Sequence, residues 1–317
     1  MNEVSNETRF LHAVEMGLGA WQWGDRVIWS YGQGYTDKEI REAFDVSLNL
    51  GVRFIDTAEI YGSGRSERLL GQFLKETDQP ALVATKFFPW PWRFMKGAVL
   101  HNLKGSLERL GLEAVDLYQI HWPSPVMSTE LLMEGLVECV KQGLARTVGV
   151  SNFGHKRMLR AYSALAQNGV PLASNQVHYS LLSREVEKNG TLARCKELGI
   201  RMIAYSPLEQ GLLTGKYSTE TPPPGVRANR YAEFIKKLPP ILSVMKEIGQ
   251  SHSKTVSQVA LNWVICKGAL PIPGAKNVKQ AEENAGGAGW RMSDEEVEQL
   301  DKVTDDFRPY SDGKQED

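Results

Sequence analysis

The sequence predicts an α/β protein, a (β/α)8 barrel of the TIM type, and three observations carry that prediction. Short apolar runs of strand character recur eight times along the 317 residues, and stretches of helical periodicity lie between them. Alternation of this kind builds parallel βαβ units. Several runs end on a polar or charged residue, and strand C-termini are where a parallel barrel carries its chemistry. The glycines argue against the rival, an open doubly wound sheet, which usually carries G-x-G-x-x-G after its first strand. Here Gly17 and Gly19 are followed by Trp21 and Trp23, and Gly62-Ser63-Gly64 also lacks the third glycine. The expected barrel is one domain spanning 1–317. It has an N-terminal strand or hairpin, long βα loops at the C-terminal rim and extra helices.

Each element has its own signal. Val14, Met16 and Leu18 alternate as in a strand. Thr36 and Glu39 have the spacing of a capping box, and Ile40, Ala43, Phe44, Ser47 and Leu48 then mark one helix face, stopped by Gly51. Val52, Phe54 and Ile55 form a second strand running out at Asp56. Ser66 opens a helix striped by Leu69, Leu70, Phe73 and Leu74, and a third strand, 82–86, ends at Lys86. A loop rich in proline and tryptophan follows, 87–94, then a helix over 96–110. The fourth strand, 117–121, ends at His121. A helix over 128–142 leads to a fifth strand, 147–150, that ends at Ser151-Asn152. Met158, Leu159, Tyr162 and Leu165 line the next helix. The sixth strand, 173–177, carries Asn175 and Gln176. After a helix over 189–198, the seventh strand, 200–204, ends at Tyr205-Ser206-Pro207. A long loop, 208–232, contains Pro222-Pro223-Pro224-Gly225, which excludes regular structure there. Helices are expected over 239–251 and 255–267, then an eighth strand over 270–273 and a short helix after Asn277. Ser293 and Glu296 form another capping box before the last helix. The polar residues 308–317 are expected to be mobile.

Composition narrows the function classes. With 42% hydrophobic residues the chain can build a large core, and a formal net charge of −1 offers no basic surface for nucleic acid. Cys139, Cys195 and Cys266 are far apart, which suits buried reduced thiols better than a metal site. No long apolar run marks a signal peptide or membrane span. A cytoplasmic enzyme acting on a small molecule, as a monomer or weak homo-oligomer, is the expectation. Gly211-Leu212-Leu213-Thr214-Gly215-Lys216 is not a P-loop: it is one residue short between the glycines, and Tyr217 stands where Ser or Thr is required.

If the strands lie parallel in one barrel, Asp56, Lys86 and His121 emerge on the same rim near Tyr61. Taken singly, Asp56 is a cap, Lys86 a surface ion pair, His121 a core histidine and Tyr61 rim packing. Their convergence is what suggests chemistry. Five motifs then match a known pattern in order and spacing: Phe54-Ile55-Asp56-Thr57-Ala58 with Tyr61-Gly62, Thr85-Lys86, Gln119-Ile120-His121-Trp122, Gly149-Val150-Ser151-Asn152-Phe153 and Ala204-Tyr205-Ser206-Pro207-Leu208. On these motifs the sequence resembles the aldo-keto reductase family along nearly its whole length.

The resemblance implies NADPH-dependent reduction of aldehydes or ketones by hydride transfer, with Tyr61 as general acid. A free phenol titrates near ~10, so Lys86 is expected to lower that value. Asp56 would hold Lys86 charged, and His121 would orient the substrate oxygen. The resemblance also implies a nicotinamide cofactor, NADPH with NADH weaker. Ser151, Asn152 and Gln176 would meet its carboxamide, and Tyr205 would stack on its ring. Ser206, Leu208 and Gly211 would follow the cofactor, with 208–216 over the pyrophosphate. The helix after Gly274 would take the adenosine phosphate, with Glu283 and Asn284 at the adenine. The best-known branch of the family has Lys-Ser after the proline and an arginine further on. Here Gly274-Ala275 follow Pro273 and Gln280 stands at the arginine position. Lys276, with Lys279 second, is the cation expected to replace them.

Trp21, Trp23, Trp90, Trp92 and Trp122 fall in rim loops and suggest an apolar substrate pocket; packing of the loops is the alternative for Trp90 and Trp92. Two other functions stay open on sequence alone. Some relatives attach to ion channels, which suggests a cofactor-bearing regulatory subunit. An unrelated barrel lyase or isomerase acting on phosphorylated sugars would work without nicotinamide.

Overall fold

The structure, a computed structural model, describes residues 8–26, 29–224, 226–305 and 307; the tail 308–317, expected to be mobile, lies outside them. Eight strands pair in chain order, each parallel to the one before. They are β1 (Gly17–Gly19), β2 (Phe54–Asp56), β3 (Leu82–Phe87), β4 (Val115–Ile120), β5 (Ala145–Ser151), β6 (Leu172–His178), β7 (Arg201–Tyr205) and β8 (Leu270–Pro271). A parallel bridge from Gly19 to Gly274, with the Gly19 N–H donating to the Pro273 carbonyl at 3.0 Å, brings the last strand back to the first. The sheet is therefore a nearly closed barrel. The glycines of β1 permit that closure: a Cβ on Gly19 would stand 2.8 Å from the Ile272 carbonyl oxygen.

The N-terminal strand or hairpin needs correction. Residues Arg9–Ala13 are helical, and β1 begins only at Gly17, with no hairpin among the described residues. Phe10, Leu11 and Val14 sit one and four residues apart, a helical face, and they pack into the barrel interior. The alternation of Val14, Met16 and Leu18 imitated a strand across the join. The 208–232 loop is also more ordered than expected. It contains a 3-10 turn, Glu209–Thr214, and the start of the helix Val226–Ile235, while 222–224 remain irregular.

The interior is layered. Phe54, Ala84, Leu117, Ile203 and Leu270 form an apolar floor. Side chains two residues further along a strand share its face, so the next positions toward the C-terminal rim are Asp56, Lys86, Gln119 and Tyr205. The floor thus delivers a polar layer directly above it. The much larger second core lies between the barrel and its helices. Both expected capping boxes are present, at Thr36 with Glu39 and at Ser293 with Glu296. No helix among the described residues is long and apolar enough to cross a membrane.

Candidate active site

Asp56 ends β2, Lys86 is the penultimate residue of β3 and His121 follows β4. Lys86 is fully buried and Asp56 nearly so. The Lys86 Nζ donates to Asp56 Oδ2 at 2.6 Å, to the Thr57 carbonyl at 2.7 Å and to the Tyr61 hydroxyl at 3.4 Å. The other carboxylate oxygen, Asp56 Oδ1, accepts from Gln176 Nε2 at 2.7 Å. The His121 ring stands edge-on to Tyr61, with centroids 5.7 Å apart. The structure therefore brings the four expected residues together.

Electrostatics correct one expectation. Burial pushes the Tyr61 phenol well above its usual value, and the charges of Asp56 and Tyr205 push the same way. Lys86, 3.4 Å from the hydroxyl and paired with Asp56 at 2.6 Å, does not outweigh these effects. Burial likewise pulls the Lys86 ammonium down, against the stabilising pull of Asp56. Burial, then the Lys86 charge, holds His121 far below the usual imidazole range, so it is a neutral ring. Its buried Nδ1 has no hydrogen-bond partner among the described residues.

A cavity of about 520 Å³ opens above these groups and runs along the C-terminal rim. Asp56, Tyr61 and His121 line one part of it; Lys86 lies behind Tyr61. All of Ser151, Asn152, Gln176, Tyr205, Ser206 and Leu208 line it, as do Gly211, Gly274, Lys276, Gln280, Glu283 and Asn284. Asn152 sits at φ 61°, a left-handed conformation that asparagine tolerates. Its Nδ2 donates to the His121 carbonyl at 3.0 Å and its Oδ1 accepts from the Tyr205 hydroxyl at 2.9 Å. Gln280 does not carry a charge to the cavity; its Oε1 accepts from the Lys276 amide at 2.9 Å.

The donor set suits a dinucleotide. Amide and hydroxyl side chains cluster beside Tyr61, and three cations, Lys216, Arg227 and Lys276, stand elsewhere on the wall. Lys276 lies over the rings of Trp29 and Tyr35, at 4.9 and 4.5 Å, and Arg227 over Trp29 at 5.5 Å. Burial, then Arg227 and Lys216, pulls Lys276 down to about 8. Cations crowded enough to depress one another are poised for an anion. Gln22 also lines the cavity, and its buried Oε1 has no partner among the described residues. Sequence reasoning missed Arg227, placed Lys216 only at the end of the 208–216 segment over the pyrophosphate, and named Lys279, which is exposed and outside the cavity wall.

The tryptophans divide. Trp21 and Trp122 line the cavity. Trp23 does not: it is fully buried between Phe44 and Phe73, its indole N–H donating to the Ala275 carbonyl at 3.3 Å. Trp90 also stands off the cavity wall, stacked on Trp92 with centroids 4.9 Å apart and packed against Phe88. A rim-loop aromatic can turn inward to the core or outward to solvent, and composition alone does not separate these.

The sequence profile of the Aldo/keto reductase family matches residues 15–305. A chloroplastic pyridoxal reductase of Arabidopsis thaliana is 41% identical over 304 residues, covering 92% of this chain and 83% of the relative. The solved glycerol dehydrogenase of Gluconobacter oxydans is 26% identical with a TM-score of 0.81, covering 93% of both chains. An aldo/keto reductase of Klebsiella pneumoniae, solved with NADP and acetate, is 26% identical with a TM-score of 0.73, covering 96% of this chain and 94% of that one.

Proposed function

The chain belongs to the aldo/keto reductase family, and on that premise we propose that it reduces aldehydes or ketones to alcohols with NADPH, Tyr61 being the general acid. The observation that carries the proposal is the contact chain from Asp56 through Lys86 to Tyr61, next to a neutral His121 on the cavity wall.

The cofactor, when bound, supplies a hydride to the carbonyl carbon. The matching proton comes from the Tyr61 hydroxyl and goes to the carbonyl oxygen. The raised pKa of Tyr61 ensures that this proton is in place beforehand. The phenolate left behind is stabilised by the Lys86 ammonium and reprotonated from solvent. Asp56, gripped by Lys86 and Gln176, keeps that ammonium in position. His121, being neutral, can donate one ring N–H to the carbonyl oxygen without releasing a proton of its own. General acid assistance of this kind contributes about two to four decades in rate.

NADPH over NADH is supported by Lys276 with Arg227 and Lys216, which together replace the single arginine absent at Gln280. The cofactor's amide end would meet Ser151, Asn152 and Gln176, with Tyr205 stacked on the ring. Trp21, whose ring lies 6.4 Å from that of Tyr61, and Trp122 offer flat apolar walls for an aromatic aldehyde. The Arabidopsis relative is named for pyridoxal, itself an aromatic aldehyde, so pyridoxal heads the substrate panel. The enzyme is placed in the cytoplasm as part of the same proposal.

The test is NADPH oxidation with a panel of aldehydes and ketones that includes pyridoxal. Turnover lost in Tyr61→Phe supports the reading. Tight NADPH binding with no oxidation by any carbonyl compound would favour a regulatory subunit instead.

A further inference from the structure

A charged pair at the cavity has no part in the reaction described above: His178, half-buried, lines the cavity, and its partner Glu209 is buried. His178 ends β6, Tyr205 ends β7, and the two are direct partners in the sheet. Their rings stack with centroids 5.3 Å apart and planes 8° from parallel. The His178 Nε2 lies 2.7 Å from Glu209 Oε1, a close ion contact that falls short of good hydrogen-bond alignment. Ser180 Oγ donates to the same oxygen at 2.7 Å. Glu209 is buried, and it opens the turn Glu209–Thr214.

That turn has reason to need an anchor. Glu209 and Gln210 sit at φ 47° and 51°, in the left-handed region that side chains disfavour, and Gly211 follows at 100°. The turn brings Gln210, Gly211 and Thr214 to the cavity wall. On its far side, Tyr205 continues the chain to Asn152, which donates to the His121 carbonyl.

We propose that His178 and Glu209 are a positioning pair that seats the Tyr205 ring and the 209–214 turn for nicotinamide-cofactor binding. This rests on the cofactor reading above. The pair touches two walls at once. Its histidine backs the ring expected to stack on the nicotinamide, and its glutamate fixes the turn expected over the pyrophosphate. The charge balance supports a held pair: burial opposes a charged His178 and Arg230 adds to that, yet Glu209 more than offsets both and raises its pKa. Ser183 Oγ, 3.4 Å from Nδ1, completes the polar surroundings of the imidazole.

The test uses the full chain, two main variants and one milder one. Glu209→Gln keeps the shape and removes the charge; His178→Phe keeps an aromatic stack and removes the ion contact. Ser180→Ala is a milder third variant that withdraws one contact from Glu209. NADPH and NADH are titrated into each protein, cofactor release is timed, and single-turnover reduction is measured at saturating cofactor. Both main variants should bind NADPH and NADH roughly tenfold more weakly. Release should quicken to match, and Ser180→Ala should move the same way by less. The saturated single-turnover rate should fall far less than affinity. Unchanged affinity and release in folded variants, or a lost single-turnover rate at unchanged affinity, would overturn the proposal. A wild type that binds neither dinucleotide would sink the cofactor reading and this proposal together. A wild type that binds, beside variants that bind equally, would remove only the pair's role.

Discussion

Lys86→Met tests the buried charge network directly. The substitution keeps most of the aliphatic volume and deletes an ammonium that is 0% exposed. It strips Asp56 Oδ2 of its 2.6 Å donor and the Thr57 carbonyl of its 2.7 Å donor. What remains is a buried carboxylate with one hydrogen bond, from Gln176. Removing one partner of a buried ion pair costs about 3–5 kcal/mol. In a chain of this size each kcal/mol lowers the melting temperature by about 2 °C, so the expected drop is roughly 6–10 °C. Asp56→Asn introduced into Lys86→Met removes the stranded charge, and the new amide oxygen can still accept from Gln176. The double variant should therefore melt higher than Lys86→Met, recovering about half of the loss or more. Neither should reduce aldehydes at more than a trace of the wild-type rate. Thermal melts by circular dichroism at neutral pH, with NADPH oxidation as the activity measurement, read both effects. If Lys86→Met melts within about 2 °C of wild type, or the double variant loses the sum of its singles, the pair is not the coupled buried unit described.

Four further outcomes follow from the same geometry. Tyr61→Phe should cut the chemical step by about two to four decades with cofactor affinity nearly unchanged; a retained rate where chemistry limits turnover would remove Tyr61 as the acid. His121 titrates far below the unfolded value of 6.5, so below that pH the unfolded chain takes up a proton the native site refuses. Stability should fall with pH there, and His121→Asn should flatten melting temperature between about pH 5 and 6.5; an unchanged slope would contradict the assignment. Lys276, held to about 8, is partly neutral above that value, whereas a bound phosphate favours its charged form. NADPH affinity should thus weaken above about pH 8 faster than NADH affinity. Lys276→Ala and Arg227→Ala should each cost NADPH roughly tenfold and NADH little; equal losses for both cofactors would show that these cations do not read the 2′-phosphate.

Much of this was legible in the sequence because the strand ends are local signals. Asp56, Lys86 and His121 each terminate or immediately follow an apolar run, and period-2 geometry places them above an apolar floor. What escaped depended on where loops fold back. Trp23 looked like a pocket residue by its place in a rim loop, but Phe44 and Phe73 offered it a core site. Lys279 is close in sequence to the eighth strand, yet Arg227 reaches the cavity from a helix after a long irregular segment. The helix Arg9–Ala13 was hidden because its apolar residues run into those of β1. His178 and Glu209 are 31 positions apart, and neither carries a local signal; only the closing of the 209–214 turn onto β6 makes them a pair.

The polar layer also constrains what any ligand can find there. Both oxygens of Asp56 are occupied, one by Lys86 and one by Gln176. Both amide atoms of Asn152 are engaged as well, its nitrogen by His121 and its oxygen by Tyr205. A ligand reaching Gln176 therefore meets a side chain whose nitrogen is already committed to Asp56. Displacing that nitrogen would loosen the carboxylate that holds Lys86, and with it the Lys86–Tyr61 contact. The Asp56–Lys86–Tyr61 contact chain and the amide end of the cavity at β6 are thus linked through Gln176. Binding and proton donation cannot be tuned independently through Gln176, whereas His178 and Glu209, one residue layer further out, can act on binding while leaving the Asp56–Lys86 contact in place.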